Sequence, residues 1–105
     1  MGTLYNDVAD ANLAPKLEAA MIPHALAAFE TPASAPAWAE SAFNERRAYI
    51  RTTDDQCNPF SLQELWIAKS GVTWQIEDLK SSHCPFVSQP EETARVVLGV
   101  IGGWI

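Results

Sequence analysis

One stretch decides how the chain can fold: Asp78-Leu79-Lys80-Ser81-Ser82-His83-Cys84-Pro85-Phe86-Val87-Ser88-Gln89-Pro90-Glu91-Glu92. It predicts the end of a strand, a short loop and the start of a helix. Ser88 precedes Glu91 with the spacing of a capping box, and Pro90 suits a first helical turn. The loop carries His83. Because imidazole is the side chain whose unperturbed pKa lies nearest neutrality, a histidine held between two rigid elements is a candidate general base.

Length, composition and charge limit the classes of protein to which the chain can belong. The chain has 105 residues, of which 48% are hydrophobic and 19% charged, which is typical of one globular domain. The net charge of −6 disfavours nucleic acid or an anionic membrane as a partner. No apolar run reaches transmembrane length, and the acidic opening, residues 1–7, lacks the basic flank and apolar core of a signal peptide. We therefore expect a soluble, cytoplasmic protein.

Two parts of the chain differ in pattern. Residues 5–30 are alanine-rich and helical in period, with Pro15 and Pro23 as interruptions. Residues 31–38 form a proline- and alanine-rich connector without a period, which is where a boundary is most plausible. The predicted parts are therefore 1–37, which is helical, and 38–105.

The second part alternates between strands and helices. Residues 46–53 predict a strand, and Asn58 and Pro59 suit the cap and first position of a helix that Gly71 ends. Residues 72–76 alternate like a half-buried strand. The last helix is predicted to end at two glycines, and its apolar residues have helical spacing: Ala94, Val97, Leu98 and Ile101. Strands joined through helices predict an α/β fold with parallel pairing.

Parallel pairing would bring two functional loops together. Asp54 and Asp55 follow the first strand, and the loop after the second strand carries His83. Because the carboxyl ends of parallel strands lie at the same edge, a carboxylate there can accept a hydrogen bond from the imidazole and orient it. The alternatives are an aspartate pair that only forms a turn or helix cap, and a histidine that lies at the surface.

These residues also carry a resemblance. Arg47-Ala48-Tyr49-Ile50-Arg51-Thr52-Thr53-Asp54-Asp55 with Pro59, together with residues 82–92, resembles the C-terminal half of α/β-hydrolases, in the esterase branch related to plant methylesterases and hydroxynitrile lyases. The resemblance implies that Asp55 is the catalytic acid, with Asp54 the weaker candidate, and that His83 is the catalytic histidine. It also implies that residues 1–37 are the remnant of a helical cap and that residues 38–105 are the last strands and helices of the hydrolase core.

One essential part of that family is missing. The nucleophile elbow G-x-S-x-G is absent, since no pair of glycines brackets a serine. The resemblance therefore implies a partial Ser-His-Asp triad in a fragment, a truncated gene product or a decayed copy. The parent activity would be hydrolysis of a small apolar ester, with no cofactor and no metal; which residues bind substrate is unknown. The alternative is an inactive chain that acts as an interaction module, and an open sheet edge would favour self-association.

Other candidate sites are weaker. Cys57 and Cys84 flank the two functional positions, so a redox-sensitive disulfide is an alternative to a reduced pair. A metal site made from both cysteines with Asp54 and His83 lacks a recognised ligand spacing. His24 is predicted to lie at the surface. The tryptophans are predicted to anchor the core or an interface: Trp38, Trp66, Trp74 and Trp104.

Overall fold

The computed structural model describes residues 4–105, so whatever was predicted for residues 1–3 lies outside the described part. The fold is a mixed α/β arrangement. Its elements are α1 (Leu13–Ala19), α2 (Leu26–Glu30), β1 (Ala48–Thr52), α3 (Phe60–Lys69), β2 (Gln75–Leu79), α4 (Pro85–Ser88) and α5 (Pro90–Trp104), with short 3₁₀ turns at Ala37–Ala39 and Ser41–Phe43. No helix in the described range is long and apolar enough to cross a membrane.

The two strands pair in parallel, as the strand–helix–strand order predicts. Their register runs from Ala48 opposite Gln75 to Thr52 opposite Leu79. The second strand begins three residues later than the predicted range, 72–76. The reason is the end of α3: Trp74 Nε1 donates to the Ser70 hydroxyl over 2.8 Å, so residues 72–74 fold back against the helix before the strand can start.

Helix α3 confirms its predicted end but not its predicted cap. Gly71 has φ of 74°, a left-handed conformation that favours glycine and ends the helix. At the other end the helix begins at Phe60, and the Asn58 side chain makes no capping hydrogen bond. The Asn58 backbone is engaged elsewhere, because its N–H donates to Asp55 and its carbonyl accepts from Gln63.

The predicted capping box before α5 is wrong. Ser88 is the last residue of α4, and its hydroxyl donates to Asp7 over 2.8 Å instead of capping the next helix. Pro90 is the first residue of α5, as predicted. The predicted stop at Gly102 and Gly103 is also wrong, because the helix continues to Trp104.

The buried face of α5 differs from the predicted stripe. Val96 and Val100 are buried, and they form the apolar core with Leu79 and Cys84. The predicted stripe lies largely in solvent: Leu98 is 68% exposed, and Val97 and Ile101 are exposed as well. A second apolar face of this helix therefore has little to pack against within the described residues.

The N-terminal part is held to the rest through a few polar contacts and through the ring of Trp38, whose centroid lies 5.5 Å from that of Trp74. Helices α1 and α2 contain no buried residue, and every residue from 21 to 46 is exposed. Arg47 is buried and anchors the end of this part. Its guanidinium donates to the carbonyl oxygens of Trp38 and Glu40 and to the Asn44 side chain. The boundary between residues 37 and 38 stays a prediction.

Candidate acid–base site

The site is a hydrogen-bonded pair of a buried carboxylate and a half-exposed imidazole. His83 Nδ1 lies 2.9 Å from Asp55 Oδ2. The Asp55 side chain is 2% exposed and that of His83 is 33% exposed. An ionised carboxylate can only accept, so Nδ1 carries the proton in this bond. Nε2 is then the nitrogen that can take a proton from another group.

Parallel pairing of the strands creates this proximity. The ladder continues beyond β1, where Thr53 N–H donates to the Leu79 carbonyl over 3.0 Å and Asp54 N–H donates to the Ser81 carbonyl over 3.1 Å. These two bonds hold the loop after β1 against the loop after β2. Asp55 and His83, which are 28 positions apart in sequence, are thereby brought into contact.

Asp55 is held by four donors. Its Oδ1 accepts from the N–H groups of Cys57 and Asn58 over 2.8 and 2.9 Å, and Oδ2 accepts from the Thr52 hydroxyl over 2.8 Å as well as from His83. Burial alone would raise the pKa of Asp55, but these hydrogen bonds stabilise its charged form and hold the pKa below the ordinary value. The carboxylate therefore stays ionised at neutral pH and can stabilise an imidazolium beside it.

Gln63 supports the site, and the sequence analysis missed it. This residue of α3 is 2% exposed. Its Oε1 accepts from the Thr52 N–H over 2.9 Å, and its Nε2 donates to the Thr52 carbonyl over 2.9 Å and to the Asn58 carbonyl over 2.7 Å. It thus fixes Thr52 and Asn58, two of the four residues that donate to Asp55. The only available signal was a polar residue on the apolar side of a predicted helix.

His83 lines a cavity. Within residues 4–105, no hydrogen bond to Nε2 of His83 accompanies the bond that Nδ1 makes to Asp55. The cavity has a volume of about 280 Å³. Its apolar lining includes Tyr49, Ile50, Pro85 and Phe86. This space can hold a small, uncharged group near the imidazole.

A second carboxylate, that of Asp7, lies close to the two functional loops. Asp7 accepts from the Ser88 hydroxyl, and the neighbouring Asn6 side chain donates to the Asp54 carbonyl over 3.0 Å. Burial would raise the pKa of Asp7, but hydrogen-bonding groups of Ser82 and Ser88 hold it below the ordinary value. These contacts tie the start of the chain to both functional loops.

The other candidate residues take no part in the pair. Asp54 is exposed, and it is Asp55 that contacts His83. Cys57 and Cys84 are free thiols, exposed and buried respectively. Burial raises the pKa of the Cys84 thiol, and the charge of Asp55 adds to this effect, so Cys84 is a poor nucleophile. Among residues 4–105, no group of three or more metal-ligating side chains is placed to hold an ion.

No protein-family model, no curated protein and no solved structure matches the chain.

Proposed function

We propose that Asp55 and His83 are the acid–base part of an ester hydrolase of the α/β-hydrolase type, whose nucleophilic serine lies outside this sequence. The observation that carries the proposal is the 2.9 Å bond between His83 Nδ1 and a buried, ionised carboxylate, at a cavity that His83 lines. A histidine oriented in this way is the central element of nucleophile–histidine–acid catalysis.

In the proposed reaction, Nε2 of His83 accepts the proton of the serine hydroxyl as its oxygen attacks the ester carbonyl. The imidazolium then returns this proton to the departing alcohol, and an acyl-serine remains. Water attacks the acyl-serine, giving its proton to Nε2, and the carboxylic acid leaves as the serine recovers its proton. Asp55 keeps the Nδ1–H tautomer in place and stabilises the imidazolium throughout.

The cavity supports a small, apolar ester as the substrate. Its apolar lining offers burial to an acyl or alkoxy group. Asp55 places a negative charge directly behind the imidazole, which disfavours an anionic group in the same space. The proposed substrate is therefore an uncharged ester with short chains on both sides.

The proposal can be tested with an activated ester, which needs no protonation of its leaving group. A free, oriented imidazole can activate water against 4-nitrophenyl butyrate without the serine, although slowly. We expect purified chain to hydrolyse this ester above the buffer rate, and His83→Ala to lower that excess rate about 100-fold. The measurement is the release of 4-nitrophenolate at pH 7.

The chain offers a matched control. His24 is the other of its two histidines; it is exposed between α1 and α2, and its ring contacts Phe29. His24→Ala should keep the wild-type rate, whereas Asp55→Asn should lower it because the imidazole loses its orientation. Equal rates for His83→Ala and His24→Ala would overturn the proposed role of His83.

A further inference from the structure

One carboxylate close to the pair has no part in the proposed reaction. Asp7 precedes α1 and lies 81 positions before Ser88, whose hydroxyl donates to its Oδ2 over 2.8 Å. Burial would raise the pKa of Asp7, but hydrogen-bonding groups of Ser82 and Ser88 hold the pKa below the ordinary value. Asp7 is therefore a half-buried anion at neutral pH, and its partners belong to a distant part of the chain.

The two members of the acid–base pair are held unequally. Asp55 accepts from four donors, two of them backbone N–H groups of its own loop. Within residues 4–105, the backbone N–H and carbonyl of His83 make no hydrogen bond, and its ring bonds through Nδ1. The direction of the imidazole therefore depends on how the residues on either side of His83 are held.

Asp7 holds both of these sides. Ser82, which precedes His83, is 0% exposed, and its N–H and hydroxyl face the Asp7 carboxylate. Ser88 is the last residue of α4, the short helix that begins two residues after His83. Its hydroxyl is the one that donates to Asp7. One carboxylate thus brackets the whole segment, residues 82–88, that carries the imidazole.

The contact between Asp7 and Ser82 can still tighten. Asp7 Oδ1 and the Ser82 hydroxyl face each other, yet within residues 4–105 both are buried without a hydrogen bond. A buried donor beside an unsatisfied acceptor gains free energy when the bond between them closes. A small approach of Ser82 to Asp7 closes it, and this approach moves the residue that directly precedes His83.

The neighbour of Asp7 holds the other loop. Asn6 Nδ2 donates over 3.0 Å to the carbonyl of Asp54, the residue before Asp55. Because consecutive Cα atoms are about 3.8 Å apart, Asn6 and Asp7 form a short cross-link between the loop of Asp55 and the loop of His83. This cross-link limits how far the two loops can separate.

We propose that Asp7 is a positioning residue of the acid–base pair. Through Ser82 and Ser88 it keeps the imidazole of His83 within hydrogen-bonding distance of Asp55. Its influence on turnover rests on the proposed function, whereas its influence on the imidazole does not. Asp7 does not line the cavity, so its loss alters the orientation of His83 and leaves the surface that would bind an ester.

The tautomer of His83 tests this inference without a substrate. The bond to Asp55 requires the proton on Nδ1, whereas a free neutral imidazole prefers its proton on Nε2. Nitrogen-15 chemical shifts of the neutral ring measure the ratio of the two forms. Wild-type chain should hold the Nδ1–H form. Asp7→Ala should lower the ratio of Nδ1–H to Nε2–H about threefold or more, as expected for the loss of one hydrogen bond.

Two controls separate positioning from charge and from stability. Asp10→Ala also removes a carboxylate near the start of the chain, one whose Oδ1 accepts from the Asn12 N–H over 2.9 Å. Gly71→Ala destabilises the end of α3, since Gly71 has φ of 74°. Both should keep the wild-type tautomer ratio. An unchanged ratio in Asp7→Ala, an equal fall in either control, or the ratio of free histidine in wild type would overturn the inference.

Ser88→Ala gives the answer if Asp7→Ala does not fold. It removes a hydroxyl that Asp7 holds and leaves the carboxylate in place, so the tautomer ratio should fall about twofold. A wild-type ratio in this variant would contradict the role of Asp7.

The esterase assay separates this inference from the proposed function. Asp7→Ala should lower kcat about tenfold and leave KM near the wild-type value. If wild-type chain is inactive but the tautomer ratio still falls in Asp7→Ala, the proposed hydrolase is wrong and the positioning role stands. If wild-type chain is active and Asp7→Ala keeps its kcat, the positioning role is wrong.

Discussion

At the scale of single residues, Asp55 carries the strongest prediction. Its folded-state pKa lies below the ordinary value of 3.8, so its charged form stabilises the fold above that pH. The stabilisation is lost as the pH falls through the lowered pKa. Asp55→Asn should lower the free energy of unfolding by about 1–3 kcal/mol at pH 7. The difference in free energy of unfolding between Asp55→Asn and wild type should shrink below pH 3.8. Urea titration at one chain concentration measures it.

The control for this prediction is the neighbouring carboxylate. Asp54 is exposed, and it is held by its backbone: its N–H donates to the Ser81 carbonyl, and its own carbonyl accepts from the Asn6 side chain. Asp54→Asn should therefore change the free energy of unfolding at pH 7 by less than Asp55→Asn does. If the difference in free energy of unfolding between Asp55→Asn and wild type instead grew at lower pH, the lowered pKa of Asp55 would be contradicted.

The sequence was informative about which residues approach one another and less so about what holds them. Two loops after two parallel strands predict that Asp55 and His83 lie near each other, because strand polarity alone places those loops at one edge. The buried amide of Gln63 was not predicted. Its contact with Thr52 spans 11 residues and depends on where α3 crosses the strand, and no local pattern encodes that position.

At the scale of elements, a substitution at Gly102 tests why the end of α5 was mispredicted. The helix runs through Gly102, where an added Cβ would meet no atom within 4 Å. Gly102→Ala should stabilise the protein by about 0.5–1 kcal/mol, because alanine loses less backbone freedom than glycine in a helix. The matched contrast is Gly71, whose φ of 74° suits glycine. Gly71→Ala should lower the thermal midpoint, and Gly102→Ala should raise it.

The errors at this scale have a common physical cause. Glycine at 102 and 103 predicts a stop, but a helix continues through glycine when nothing competes for its backbone groups. Ser88 and Glu91 have the spacing of a capping box, but Asp7 offers the serine hydroxyl a charged acceptor from a distant part of the chain. The buried face of α5 is likewise set by its neighbours, so Val96 and Val100 are buried and Leu98 is not.

At the scale of the whole molecule, the parts of the chain differ in how firmly they are packed. The order of strands and helices after residue 46 predicted a parallel pair, and the structure confirms it. The predicted boundary between residues 37 and 38 would separate a loosely packed N-terminal part from a more firmly packed C-terminal part. Among residues 4–105, fully buried residues occur only from Arg47 onward, so the N-terminal helices contribute little apolar burial and should open at a low free-energy cost.

Limited digestion with trypsin measures that contrast directly. Lys16 lies in α1, which has seven residues and none buried, whereas the exposed Lys69 lies in α3, which holds Gln63 against β1. Because cleavage follows the free energy of local opening, the bond after Lys16 should be cut at least about tenfold faster than the bond after Lys69. Mass spectrometry of timed samples identifies the order of the cuts. Circular dichroism of the product lacking residues 1–16 should retain the signal of α3 and α5. Equal rates at the two lysines would mean that the N-terminal helices are as firmly packed as the sheet, and the predicted division of the chain would be wrong.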